Sequence, residues 1–174
     1  NASNINIGGT TTLSKATKLS LGGGGKAGTI TLGTTTAAKL TDLVVDTEDG
    51  NISMPTVTAA KLANVTVTGD NTFGFGTTLA TTTVLASLDA SANTGAVTIG
   101  QSVDFTTSAN VKLGTAADTI TIDVLTEGGL TIDGGEKSGT DVSDTLTITG
   151  VNSNGLSVFD LGGSDQITQL NGAV

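Results

Sequence analysis

The sequence contains no Cys, His, Arg, Trp or Tyr, and it has a single Pro. Without Cys and His there is no zinc site of the usual kind, no thiol nucleophile and no Ser-His or Cys-His arrangement. The lack of Cys also removes disulfides, so the redox compartment is not legible. A net charge of −9, no Arg and 2% aromatics argue against a nucleic-acid partner, which requires cationic neutralisation and stacking platforms. No apolar run approaches the roughly 18 residues of a membrane-spanning helix, so membrane insertion is not expected. The chain opens NASNINIGG, with neither Met nor a basic-then-apolar leader. It reads as a processed product or a fragment, with no targeting segment visible.

Charge is scarce too, at 13% of residues, about half the globular norm. Disordered chains are rich in charge and Pro and poor in β-branched residues; this one has the reverse bias. What is abundant is Thr, 35 in all, beside 25 Gly. Thr, Val and Ile suit a pleated, half-buried surface, so the composition predicts an all-β fold in one domain, residues 1–174, or one segment of a longer surface protein.

Two sub-regions are suggested, 1–111 and 112–174. The first 41 residues carry Lys15, Lys18, Lys26 and Lys39 and no acid, whereas Leu113–Val174 holds nine acids and only Lys137. Such a dipolar subunit favours head-to-tail association.

Short alternating runs such as Thr29–Leu32, Asn64–Thr68, Asp118–Asp123 and Asp144–Thr149 are punctuated by Gly, Asn and Asp, the residues of tight turns. The pentapeptide TAAKL occurs at Thr36 and again at Thr58. Aligning the copies pairs Leu40 with Leu62, Leu43 with Val65 and Val45 with Val67. A third copy, Val84–Ser91, adds Leu85 and Leu88, and a distant fourth, Lys18–Leu21, precedes the first by 21 positions. A second echo places a small residue before Asp118, Asp144 and Asp165, with Ile120, Leu146 and Ile167 two places on. Fixed periods of this size mark a solenoid, in which apolar residues of successive coils align into inner columns. The expectation is a parallel β-solenoid with coils of about 21–26 residues. The competing fold is a Greek-key β-sandwich, less suited to a core with only four Phe and no larger aromatic.

Acids cluster beside glycines in the second sub-region: Asp118, the pair Asp133 and Glu136, the pair Asp141 and Asp144, and the pair Asp160 and Asp165. Calcium takes six to eight oxygens from carboxylates and turn carbonyls, so these seven residues are the candidate metal ligands. The alternative for each is an ordinary solvated turn former.

GTAADTITI (Gly114–Ile122) and LGGSDQI (Leu161–Ile167) resemble the proteobacterial S-layer proteins of the RTX type, and the KLTDL and KLANV repeats are similar to their leucine-bearing coils. The resemblance implies an extracellular, type I-secreted, self-assembling protein at the cell surface, with calcium bound at coil turns. Carried over by motif, it implies Asp118 and Asp165 as ligands, with Asp144 after them because Val142-Ser143 precedes it. The full G-G-x-G-x-D-x-U-x nonapeptide is nowhere intact.

Other signals carry less. LGGGGKAG at Leu21–Gly28 lacks the hydroxyl residue after Lys26 that a phosphate loop needs. Three N-glycosylation sequons are within what this composition produces by chance. Thr-x-Thr pairs could match an ice lattice, but they also form the polar half of strand alternation. Paired acids could hydrolyse glycosides, yet the aromatic and basic residues of a sugar cleft are missing, so no enzyme is expected. The function expected is a structural protein of a surface layer or filament, partnered by its own copies and by cell-surface polysaccharide. The alternative is a secreted adhesin or matrix module that binds a glycan, ice or a surface.

Overall fold

The computed structural model describes residues 4–22, 28–76, 83–100, 103–122, 130–135, 143–148, 158–160 and 166–170. It is all-β. The strands are β1 (Ile5–Thr12), β2 (Lys18–Gly22), β3 (Gly28–Thr36), β4 (Asp42–Asp46), β5 (Gly50–Met54), β6 (Thr56–Thr58), β7 (Asn64–Gly69) and β8 (Phe73–Phe75). They continue as β9 (Thr83–Asn93), β10 (Val97–Ile99), β11 (Val103–Lys112), β12 (Thr119–Ile122), β13 (Thr131–Asp133), β14 (Thr145–Ile148), β15 (Val158–Asp160) and β16 (Gln166–Leu170).

One sheet has nine strands, in the order β1-β3-β5-β8-β10-β12-β14-β16 with β6 beside β3. The other has seven, in the order β15-β13-β11-β9-β7-β4-β2. Every pairing among the described strands is parallel. The chain crosses from one sheet to the other and back, laying each new strand on its predecessor. This is a β-solenoid; the antiparallel pairing of a Greek-key sandwich is not found among the described residues.

Alternation of apolar and polar residues makes this work, because successive side chains point to opposite faces. In the seven-stranded sheet Leu19, Leu43, Val65, Leu88, Val111, Ile132 and Phe159 share one register position. Their intervals are 24, 22, 23, 23, 21 and 27 residues, slightly wider than the expected 21–26. In the nine-stranded sheet Phe75, Ile99, Ile120, Leu146 and Ile167 form a similar column. From Leu43 to Ile132, the described side chains of the first column are fully buried. Each such aliphatic contributes about 1.5–3 kcal/mol on leaving water, so stability accumulates rung by rung.

The TAAKL repeats are corners. Leu40 N–H donates to the Ala37 carbonyl at 3.1 Å and Leu62 N–H to the Ala59 carbonyl at 2.9 Å, while the Ala37 N–H reaches the Thr58 carbonyl of the next coil at 2.8 Å. The first Ala and the Leu of each copy, Ala37 with Leu40 and Ala59 with Leu62, point inward and are buried; Ala38, Lys39, Ala60 and Lys61 are exposed. The third copy follows suit, since Leu88 pairs with Val65 and the buried Leu85 pairs with Phe105. The fourth does not sit where the 21-residue alignment puts it. Leu19 pairs with Leu43 and Leu21 with Val45, so that coil is longer and its leucines belong to the sheet, not the corner.

The opposite corners depend on close backbone approach. A Cβ on Gly114 would overlap the Asn93 carbonyl oxygen of the coil before it. Gly69, at φ +111°, turns in the left-handed region that side chains disfavour. Beside it, Thr47 Oγ1 donates to Oδ1 of the fully buried Asn93 at 2.8 Å, and Asn71 Nδ2 donates to the Thr47 carbonyl at 2.7 Å. Three coils are tied together there by polar groups that satisfy one another, as burial requires.

Candidate functional site

The most unusual chemistry lies inside the stack. Ile30, Ile52, Phe73 and Val97 occupy one inner register position of the nine-stranded sheet. Thr98 pairs with Thr119 and Thr119 with Thr145, so the next two members of that column are Asp118 and Asp144. Both carboxylates are buried, at 1% and 3% exposure. The sequence echo around Asp118 and Asp144 is therefore real, but these acids do not stand at solvated turns. In A-D-T-I-T-I, Asp118 shares its face with Ile120 and Ile122, and strand alternation turns all three inward.

Their hydrogen bonds explain why a carboxylate is tolerated there. Upstream, two N–H groups of this column donate to main-chain carbonyls of the next coil: Ile52 to Thr72 at 2.9 Å and Phe73 to Ala96 at 3.0 Å. At Val97 the acceptor becomes a side chain. Asp118 Oδ1 accepts the Val97 N–H at 2.7 Å, and Oδ2 accepts the Gly114 N–H at 3.1 Å. One rung on, Asp144 Oδ1 accepts the Asp118 N–H at 2.7 Å. Each Asp thus clamps the rung before it. Burial pushes the Asp118 carboxyl up to about 7, against the bond from Val97; the neighbouring charge of Asp144 adds to the rise, and the Gly114 N–H opposes it.

The other candidates are dispersed. Asp133 is exposed on the outer face of the seven-stranded sheet, in register with Lys112, and its Oδ1 accepts the Gly135 N–H at 3.1 Å. Asp160 closes β15 in register with Asp133. The side chain of Asp160, and Glu136, Asp141 and Asp165 altogether, lie outside the described residues. Among the described residues no three carboxylates converge in a metal cage. Asp118 and Asp144 come together, Asp133 stands apart from them, and both oxygens of Asp118 already face backbone donors.

Sequence reasoning did not single out the acids of the charged outer face. Asp42 accepts from Thr41 Oγ1 at 2.7 Å and from Asn64 Nδ2, one rung on, at 2.9 Å. These bonds hold its carboxyl below the usual range, helped by Lys18. Asp89 is likewise held low by the Ser91 hydroxyl and N–H, with Lys112 nearby. The signal available was the 22-residue spacing of Asp42 and Asn64 in the aligned repeats.

A second surface is defined by what it lacks. None of the strands of the nine-stranded sheet contains a charged residue. Hydroxyls line up in part of its outward face: Thr98–Thr119–Thr145, Thr121–Thr147, and the paired rungs Thr10/Thr12, Thr34/Thr36 and Thr56/Thr58, with Gly74 and Asn51 among the positions between them. The irregular Thr-x-Thr spacing of the sequence becomes short aligned columns once the coils stack.

No protein-family model matches the chain, and neither the curated proteins nor the solved structures yield a match.

Proposed function

We propose that this chain is an extracellular, self-assembling structural protein, a subunit of a cell-surface layer or filament. The observation that carries this reading is the architecture of the rungs. Strands stack in parallel register along the described chain, and the buried polar side chains of Asp118, Asp144 and Asn93 bond backbone or other coils. A stack of this kind adds stability with each nearest-neighbour interface and has no intrinsic length, which suits a load-bearing element. The resemblance to RTX-type surface-layer proteins supports the same reading.

Calcium belongs to the proposal as the counter-ion of the acidic sub-region, where the nine acids of Leu113–Val174 repel one another. Asp118 does not fit as a ligand while its two oxygens hold backbone N–H groups. Electron microscopy of the purified protein with and without calcium tests both parts. Ordered sheets or filaments are expected, together with a melting temperature that falls on chelation. Dispersed single particles in both conditions would overturn the assembly reading, and a melting point indifferent to chelator would remove calcium from it.

The hydroxyl face favours a second reading, an adhesin or matrix module that docks a glycan, ice or another ordered surface on the nine-stranded sheet. Co-sedimentation with insoluble polysaccharide or retention in growing ice, lost when Thr98 and Thr119 are replaced by Lys, would favour that reading over assembly.

A further inference from the structure

The two sheets differ in what they show to solvent. Outward positions of the seven-stranded sheet carry Lys18, Asp42, Asp89, Lys112 and Asp133. Across β3, β5, β8, β10, β12 and β14 of the other sheet, one outward column reads Thr31, Ser53, Gly74, Thr98, Thr119 and Thr145. Its side chains are small, polar and uncharged. In the middle of this column a gap and a projection lie side by side. Gly74 stands between the inward Phe73 and Phe75 and leaves its outward position unfilled. Its φ is not positive, and a Cβ there would meet Ser53 Oγ at 3.8 Å, an ordinary contact. The fold therefore does not require a glycine at that place. Thr98, one rung on, is the exposed member of the column, whereas its other members are half-buried.

We infer that this face packs against the same face of a second copy of the chain, with Thr98 of each copy seated in the gap at Gly74 of the other. The inference rests on the self-assembly reading and names one of its contacts. A two-fold axis parallel to the strands reverses the order of the rungs. Gly74 then meets Thr98, Ser53 meets Thr119 and Thr31 meets Thr145. One patch serves both partners, as an isologous contact requires. Charge selects the face: two chains of net charge −9 repel each other, and the strands of this sheet bring no charges together. Area agrees with a second copy as the occupant. Six rungs about 4.8 Å apart, with strands roughly 10–30 Å long, offer on the order of 600 Å² per copy. A pair buries about 1,200 Å², the lower bound of a stable interface. Thr is stiff about its first side-chain bond, so ordering these residues costs little.

The test is the mass distribution of the 174-residue chain over a concentration series, by analytical ultracentrifugation, beside three variants. Gly74→Thr fills the gap, and Thr98→Glu sets two like charges at the contact. Thr66→Glu adds the same charge to the exposed outer face of the seven-stranded sheet. Each position faces outward, so all three variants should keep the wild-type circular dichroism spectrum. The wild type is expected to equilibrate between monomer and dimer. Gly74→Thr and Thr98→Glu should each weaken the dimer roughly tenfold or more, and Thr66→Glu should leave it unchanged. Raising salt should strengthen the dimer, because screening relieves the repulsion between acidic chains and the contact has no ion pair to lose. A dimer that salt weakens, or that Thr66→Glu weakens as much as Thr98→Glu does, overturns the contact. Assembly indifferent to both Gly74→Thr and Thr98→Glu also overturns it but leaves self-assembly standing. A chain that stays monomeric at every concentration overturns both. Monomers retained on ice or insoluble polysaccharide, and released by Thr98→Glu, assign the face to a foreign surface and overturn the contact.

Discussion

One inner column of the nine-stranded sheet is written in two chemistries. Its upstream part, Ile30, Ile52, Phe73 and Val97, is apolar; main-chain hydrogen bonds join Ile52 and Phe73 to the next coil, and the side-chain acceptors beside them, Asn4 and Asn51, are neutral amides outside the column. Its downstream part, Asp118 and Asp144, is acidic, and the carboxylates take over as acceptors for the backbone of the preceding rung. The difference teaches that a solenoid position specifies direction and contact more strictly than polarity. An apolar residue there contributes burial. A carboxylate contributes a directed bond, at the cost of desolvating an acid, and couples the stability of that region to pH.

The largest effect should come from emptying the apolar part. Phe73 is fully buried, with its ring centroid 6.0 Å from that of Phe75. Phe73→Ala is expected to destabilise the fold by about 3–5 kcal/mol in denaturant unfolding, the usual cost of a large core cavity. Asp118→Ala should cost less, about 2 kcal/mol, because it strips the Val97 and Gly114 N–H groups of their acceptor but also removes a carboxyl that is poorly solvated.

The pH response separates the two parts more sharply. The Asp118 carboxyl stands at about 7 in place of 3.8, so the folded chain holds that proton more tightly than the unfolded chain does. Its contribution is complete below the unfolded value and is lost as pH rises through about 7. Melting temperature should therefore decline between roughly pH 4 and 7 in the wild type, and Asp118→Asn should flatten the decline. A wild type with no decline in that window would show that Asp118 is solvated. Asp42 and Asp89 work in the opposite sense: their lowered carboxyls stabilise above 3.8 and lose that contribution in stronger acid. Both are on the charged outer sheet, where such effects are small.

The smallest effect concerns a position where the apolar rule is broken with no compensating bond. Thr35 is buried with its hydroxyl unpartnered, and its register neighbour on β6 is Val57. Thr35→Val should stabilise by about 1 kcal/mol, read as a higher denaturant midpoint.

How much of this the sequence revealed follows from what repeats in it. The columns through Leu40, Leu43 and Val45 were legible because their coils keep almost the same length, and strand alternation fixes the face once the period is known. The fourth repeat was misaligned because the coil from Leu19 to Leu43 has 24 residues, and no local pattern says how many of them a corner absorbs. The inward course of Asp118 was present in its parity with Ile120 and Ile122. Proximity to glycine suggested a turn instead, since an acid that opens a strand and an acid that closes a turn have the same neighbours. The Thr47–Asn93 contact spans 46 positions between unlike residues, and only the stack brings them together. The hydroxyl face was visible as scattered Thr-x-Thr pairs, but their alignment depends on the same corner lengths.

Register at the junction between the apolar and acidic parts is what all of this depends on. The chain has no native Cys, so engineered pairs report without competition. Stacking of Val97 over Asp118 predicts that Thr98→Cys/Thr119→Cys, outward neighbours in that register, forms an intramolecular disulfide under mild oxidation, while Thr98→Cys/Thr121→Cys does not. The reverse result would place Ile120 under Val97, take Asp118 out of the column and contradict the ladder.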